Sequence, residues 1–258
     1  MTKFVNELTY YLGILIEFRL ELESLPSGSL IKMKNNAYGH KINGKITGIT
    51  NNHEMIRNLA RKKFITVLIK RIEHNLDILK KNLTQLPEIA QSLSNENFKS
   101  LHPRDIIKSL PKSYQGLSES YFYHPFTTEW LSEPSIPNDY KVEQKVHKSK
   151  SGNYFRSKSE QSFANLLEDN GLPYKSDIKL VLGGVAKCPD YITLNPFLGK
   201  LSIWEFYGLA DQSGYDEKMN EKMDWYRENG VTVINLFESD MRDTSYLQKL
   251  IDEKIWGI

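Results

Sequence analysis

Apolar residues recur at helical spacing from Lys3 to about Leu25, through Val5, Leu8, Leu12, Leu15 and Leu22, and Pro26 with Gly28 ends the pattern. From Ser29 to Thr50 the chain changes to short alternating runs broken by Asn35-Asn36, Gly39, Asn43-Gly44 and Gly48, which predicts one or two small β-hairpins. Helical spacing returns from about His53 to Leu83, with Ile56, Leu59, Ala60, Phe64, Val67, Leu68, Leu76 and Leu79 on one side. The other side carries Arg57, Arg61, Lys62, Lys63, Lys70, Arg71, Lys80 and Lys81. A solvated helix face is the first reading of that basic surface and phosphate binding the second.

Between about Gln85 and Lys150 the prolines at 103, 111, 125, 134 and 137 limit helix length and predict short helices with extended connections. The aromatic cluster Tyr121, Phe122, Tyr123, Phe126 and Trp130 argues against disorder and is expected to pack between two halves, ahead of serving as a base-stacking platform. From Gly152 onward the pattern reads as helix (Ser159 to Asp169), three strands (Tyr174 to Leu182, Lys187 to Leu194, Lys200 to Tyr207), helix (Tyr215 to Glu228) and strand (Val231 to Phe237). Gly183-Gly184 and Asn195-Pro196 divide the strands, and a tail helix follows from about Thr244 to Ile255. The order is αβββαβ, within a mixed α/β chain. Three segments follow from this reading: 1–95 with long helices and inserted hairpins, 96–150 as a connector, and 151–258 as an α/β domain.

Composition narrows this picture without deciding it. The chain has 258 residues, 26% charged and 40% hydrophobic, so it is long enough to bury a proper core. A net charge of +2 means that affinity for an acidic polymer must come from local patches. A single cysteine, Cys188, excludes an intramolecular disulfide framework and suits the cytoplasm. The apolar run Tyr10 to Ile16 is cut by Glu17 and Arg19, well short of a membrane span, so no membrane association is expected.

Three acids share positions with apolar neighbours. Helical spacing aligns Glu160 with Phe163, Ala164 and Leu167, while period-two spacing sets Asp190 beside Ile192 and Leu194 and Glu205 beside Leu201 and Ile203. Three inward carboxylates repel one another and resist desolvation unless cations or protons compensate them. A divalent ion with oxygen ligands, Mg²⁺ or Mn²⁺, is the economical solution, and such ions also contact phosphate oxygens. That chemistry points to phosphodiester hydrolysis. Just upstream, Lys141 to Glu160 carries six basic residues against two acidic ones, a local excess of +4 suited to phosphate steering. Within it Arg156 and Lys158 are the candidate phosphate-binding residues, with a structural ion pair as the alternative for Arg156.

Cys188-Pro189-Asp190 followed by Trp204-Glu205-Phe206-Tyr207, in αβββαβ order, resembles the PD-(D/E)XK nuclease superfamily over about Asn153 to Phe237. More narrowly, Phe155 to Glu160 and Trp204 to Gly208 are similar to a bacterial and phage branch with an RSKSE, PD and WExxG pattern, and Leu25 to Leu30 also fits that branch. The resemblance implies a restriction-endonuclease-like core, a metal held by Asp190, Glu205 and Glu160, and nucleic acid as substrate, DNA ahead of RNA. Tyr207 stands where the superfamily usually has its lysine. Some members supply that lysine from the following helix, where Lys222 shares a stripe with Tyr215, Met219 and Tyr226, and Lys218 lies further round. Lys222 is thus the preferred fourth catalytic residue, although a lysine on an apolar stripe also snorkels outward. The N-terminal module is expected to bind DNA, bind a protein partner or dimerise. A nuclease fold retained as a non-catalytic binding or assembly module is the competing expectation.

Cys188 reads as a small core residue and not as a nucleophile. The six histidines include no pair at helical zinc-ligand spacing, and no phosphate-cradling Gly-rich loop with Lys-Ser/Thr occurs.

Overall fold

The structure, a computed structural model, describes residues 2–84, 98–207 and 215–256. Its elements are α1 (Thr2–Ser24), β1 (Ser29–Lys32), β2 (Tyr38–Ile42), β3 (Lys45–Gly48), α2 (His53–Thr84), α3 (Pro103–Lys108), α4 (Pro125–Ser132), β4 (His147–Lys148), β5 (Tyr154–Phe155), α5 (Lys158–Asp169), β6 (Tyr174–Ser176), β7 (Leu180–Leu182), β8 (Val185–Lys187), β9 (Tyr191–Asn195), β10 (Lys200–Tyr207), α6 (Tyr215–Glu228), β11 (Val233–Phe237), α7 (Glu238–Met241) and α8 (Thr244–Lys254). The architecture is mixed α/β with several small sheets. Two units divide it, one of Met1–Tyr123 with Trp256–Ile258 and one of His124–Ile255. Among the described residues no helix is long and apolar enough to cross a membrane.

In the first unit α1 packs on α2 beside the antiparallel meander β1-β2-β3. The α1 seam is Tyr11, Ile14, Leu15 and Phe18, and Leu12, Ile16 and Leu20 face outward. Sequence spacing had placed Leu12 in the buried stripe. Tyr10 to Ile16 is apolar on nearly all sides, so spacing alone does not choose the face there. Glu21 chooses it, because it lies one turn beyond Phe18 and meets Arg61 on α2. Arg61, expected on the basic outer surface, is 2% exposed. Its Nε and Nη2 donate to the two Glu21 carboxylate oxygens at 2.7 and 2.9 Å, and Nη1 donates to the Phe122 carbonyl at 2.9 Å. The guanidinium also lies over the rings of Phe18 and Phe64. A ring-flanked guanidinium whose three nitrogens each donate a hydrogen bond is the form in which a buried arginine is tolerable.

In the second unit the main sheet has the order β11-β10-β9-β6, with β10 and β11 parallel and the other pairs antiparallel. In chain order the elements around it run α5, β6, β9, β10, α6, β11. Both faces of β9 are buried. One face carries Ile192, Leu194 and Ile203 against Trp130, Trp225 and Tyr226. On the opposite face Phe163 of α5 meets Tyr191, Trp204 and Phe206 within about 5.3 Å between ring centres. Buried Trp204 donates its Nε1–H to Thr193 Oγ1 at 2.9 Å.

Two strand expectations need correction. The sequence pattern predicts Tyr174 to Leu182 and Lys187 to Leu194 as one strand each, but each is broken. Asp177 adopts a left-handed backbone (φ 52°), which ends β6. Pro189 has no N–H to give a ladder, so β8 and β9 are separate. The tip becomes its own hairpin, β7-β8, turning at Gly183 and Gly184 with both φ positive, as a two-residue primed turn requires. The aromatic cluster is likewise divided. Phe122 packs on Phe64 in the first unit, whereas Trp130 and Phe126 enter the core of the second.

Removing one partner of the buried ion pair leaves the other uncompensated. Arg61→Ala should therefore destabilise the first unit by about 3 kcal/mol or more. Urea unfolding checks this, and a loss below about 1 kcal/mol would show that the pair behaves as a surface salt bridge.

Candidate functional site

Strand register brings two of the expected acids together. The β9–β10 ladder ends with Tyr191 opposite Trp204, so one step further along both chains Asp190 stands opposite Glu205. Directly opposed residues of an antiparallel pair share a face, and like charges there repel. Glu205 is 3% exposed. Its Oε1 accepts the Tyr226 hydroxyl at 2.6 Å and its Oε2 accepts Lys222 Nζ at 2.6 Å. The same ammonium donates to the Cys188 carbonyl at 2.7 Å. Asp190 Oδ2 accepts the Phe206 N–H at 2.7 Å, so a carboxylate takes the place that a neighbouring strand would fill on β10.

These contacts set the electrostatics. Burial and then the Glu205 charge push the Asp190 carboxyl up to about 7, while Lys222 and the Phe206 N–H act in the opposite direction. The protonated form can also donate a hydrogen bond to Glu205. Burial, then the charge of Glu205 and the hydrogen bond to it, raise the Tyr226 hydroxyl, which stays a donor at every physiological pH.

Glu160 goes elsewhere. Ser157 caps α5 by accepting the Glu160 N–H at 3.1 Å, and Glu160 Oε2 reaches back to accept the Arg156 N–H at 3.0 Å. This arrangement is close to a capping box, for which Ser157-x-x-Glu160 is the sequence signature. Burial raises the Glu160 carboxyl, the Arg156 N–H lowers it, and Asp190 adds a further raising contribution. Among the described residues no three His, Cys, Asp or Glu side chains form a group that could hold a metal ion. The expected cluster of Glu160, Asp190 and Glu205 is therefore not assembled as a trio. Its charge problem is met by Lys222, by Tyr226 and by a proton on Asp190.

The upstream basic residues are largely engaged within the protein. Arg156 Nη1 donates to Asp177 Oδ1 at 2.7 Å, and Lys145 Nζ meets Asp177 Oδ2 at 3.1 Å. Lys150 pairs with Asp169 at 2.6 Å, Lys141 lies over Tyr140 and Lys148 over Tyr154. Lys158, in the first turn of α5, is exposed with no ion pair among the described residues. The side chain of Lys218 and the backbone of Gly208 lie outside the described residues.

Sequence reasoning missed Tyr226 and Asp177 as site residues. Tyr226 had a signal, since it follows Lys222 by four positions on one helix stripe. Asp177 had none, because its role depends on a backbone turn inside what reads as a continuous strand. Tyr207, on the same strand face as Glu205, directs its hydroxyl to Met223 and Asn235.

Comparison with known protein families, with curated proteins and with solved structures finds no match for this chain.

A carboxyl whose pKa is raised on folding holds its proton more tightly in the folded state. Its stabilising contribution is complete below the ordinary value of 3.8 and is lost as pH rises through about 7. In metal-free buffer, thermal melts of the wild type should thus fall relative to those of Asp190→Asn between pH 4 and pH 7. Parallel curves for the two proteins would place the Asp190 pKa near its usual value.

Proposed function

We propose that this protein is a metal-dependent nuclease of the PD-(D/E)XK type, with Asp190 and Glu205 as metal ligands and Lys222 as the lysine of the site. The observation that carries the reading is the junction at the ends of β9 and β10, where two opposed carboxylates meet an ammonium supplied by the next helix. The order α5, β6, β9, β10, α6, β11 supports it, because this is the order in which that superfamily builds its core. The Cys188-Pro189-Asp190 and Trp204-Glu205 stretches support it too.

The groups at this junction are ones that accommodate a cation. A cation, the Lys222 ammonium, already rests against Glu205 Oε2 and the Cys188 carbonyl. An all-oxygen set with two carboxylates suits Mg²⁺ or Mn²⁺, which are bound by one or two carboxylates together with waters and substrate phosphates. When bound, such an ion lowers the pKa of a coordinated water and offsets charge on the phosphate. Asp190 and Glu205 would hold it, while Glu160 stays engaged in the cap of α5. Tyr226 fixes the Glu205 rotamer by its hydrogen bond. Lys222 orients the attacking water and counters negative charge beside Glu205. Arg156 and Lys145 share one carboxylate, that of Asp177, so the trio has an excess of one positive charge towards a phosphate. Lys158 adds an exposed cation at the start of α5. DNA stands ahead of RNA as substrate on the resemblance alone.

A second reading, a non-catalytic nucleic-acid-binding or assembly module, is favoured by one observation: Glu205 is already balanced by Lys222 and Tyr226 without any ion. Plasmid nicking separates the two readings. Wild type should nick with Mg²⁺ or Mn²⁺ and not in EDTA. Asp190→Ala and Glu205→Ala should abolish nicking at temperatures where each variant remains folded, and Lys222→Met should lower it by about 10²-fold or more. Restoration by Tyr207→Lys in the Lys222→Met background would show that both positions reach one centre. Wild-type nicking by folded Glu205→Ala would overturn the site.

A further inference from the structure

The first unit contains a cavity of about 430 Å³ between the turn at Gly28 to Leu30, one face of α2 and the segment from Pro111 to Tyr114. That volume is at the small end of ligand pockets. Leu30, Leu59 and Pro111 supply apolar wall, and Lys62, Lys63 and Ser113 supply polar groups, with no acidic residue anywhere in the lining.

Hydrogen bonds hold the mouth in shape. Lys62 Nζ donates to the Pro26 carbonyl at 2.8 Å, His40 Nε2 to the Ser27 carbonyl at 2.7 Å, and the Leu30 N–H to the Tyr114 hydroxyl at 3.0 Å. Gly28 has φ 91°, and a Cβ there would lie 2.5 Å from the Lys41 carbonyl oxygen and 2.6 Å from His40 Nε2. The Leu25-Pro26-Ser27-Gly28-Ser29-Leu30 motif thus builds a fixed rim, and a fixed rim binds without a large ordering cost.

The charge inside this rim is unbalanced. Two other cations of α2 are engaged, Arg61 by Glu21 and Arg71 by the Ser100 and Asp105 carbonyls, while Arg57 and Lys70 are exposed to solvent. Lys63 is half-buried and has no ion pair among the described residues. Lys62 uses one of its three donors on Pro26, and the Ser29 and Ser113 hydroxyls have no partner among the described residues. Two ammonium groups and two hydroxyls around a concave space without a carboxylate are complementary to a compact oxyanion.

We propose that this cavity binds a phosphate group of a nucleic-acid strand. The strand as its source rests on the proposed nuclease function, whereas phosphate binding itself does not. The test uses the full chain in EDTA, where hydrolysis plays no part. A fluorescent single-stranded oligonucleotide, with and without a 5′-phosphate, is titrated at several salt concentrations, with inorganic phosphate as competitor and as sole ligand. Lys63→Gln should weaken binding and reduce the log-log salt slope by about 0.7, one phosphate contact on a single strand, with an unchanged melting temperature. Lys63→Arg should retain the slope, and so should Lys70→Gln, an exposed position on the same helix. A 5′-phosphate advantage that vanishes in Lys63→Gln assigns the cavity to a strand end, and equal binding of both oligonucleotides assigns it to an internal phosphodiester. Binding of inorganic phosphate, sensitive to Lys63→Gln, without oligonucleotide binding would overturn the strand as source in favour of a free phosphate ester. Equal slopes for wild type and Lys63→Gln, or an equal loss in Lys70→Gln, would overturn the cavity as a phosphate site.

Discussion

Placing Asp190 and Glu205 opposite each other is the constraint around which the second unit is organised. Two carboxylates at neighbouring positions of a buried sheet need compensation, and each nearby element contributes some. The α6 helix supplies Lys222 and Tyr226, one turn apart, both bonded to Glu205. The β10 backbone supplies the Phe206 N–H to Asp190. The remaining imbalance appears as a proton that Asp190 keeps up to about neutral pH, through burial and the nearness of Glu205. Trp225 and Tyr226 also belong to the apolar core against Ile192, Leu194 and Ile203, so packing and charge compensation come from one helix face.

Much of this was legible in the sequence where periodicity was strong. Tyr215–Glu228 was readable to the residue, because Asn229-Gly230 stops a clear amphipathic pattern. The pointing of Lys222 towards the sheet followed from its stripe. The inward parity of Glu205 followed from Ile203. What failed has a common cause, namely local geometry that periodicity does not encode. Asp177 leaves the β region in mid-pattern, and its carboxylate becomes the anchor of Arg156 and Lys145. Glu160 looked like a third inward acid, yet the Ser157-x-x-Glu160 spacing also spells a helix cap, and the cap takes its carboxylate. Arg61 looked solvated because its position on the helix is polar by pattern. Only the tertiary contacts of Glu21 and Phe122 make its burial tolerable.

The two units treat positive charge differently, and this bears on function. Around α5 most cations are tied to carboxylates or rings. Along α2 the buried arginine is neutralised while Lys63 is left without a counter-charge at the wall of a cavity. On the proposed nuclease function, an acidic centre would repel its polyanionic substrate and affinity would come from elsewhere, which is the role proposed for Lys62 and Lys63.

The central claim is that the Asp190 and Glu205 carboxylates form a divalent-cation site with Lys222 at its side. Electron paramagnetic resonance of Mn²⁺ titrated into the full chain, without nucleic acid, addresses it directly. One bound Mn²⁺ per chain in the wild type, with binding weakened by about tenfold or more in folded Asp190→Asn and in Glu205→Gln, is the expected result. Free Mn²⁺ at every protein concentration, or binding unaltered by both substitutions, would contradict the account.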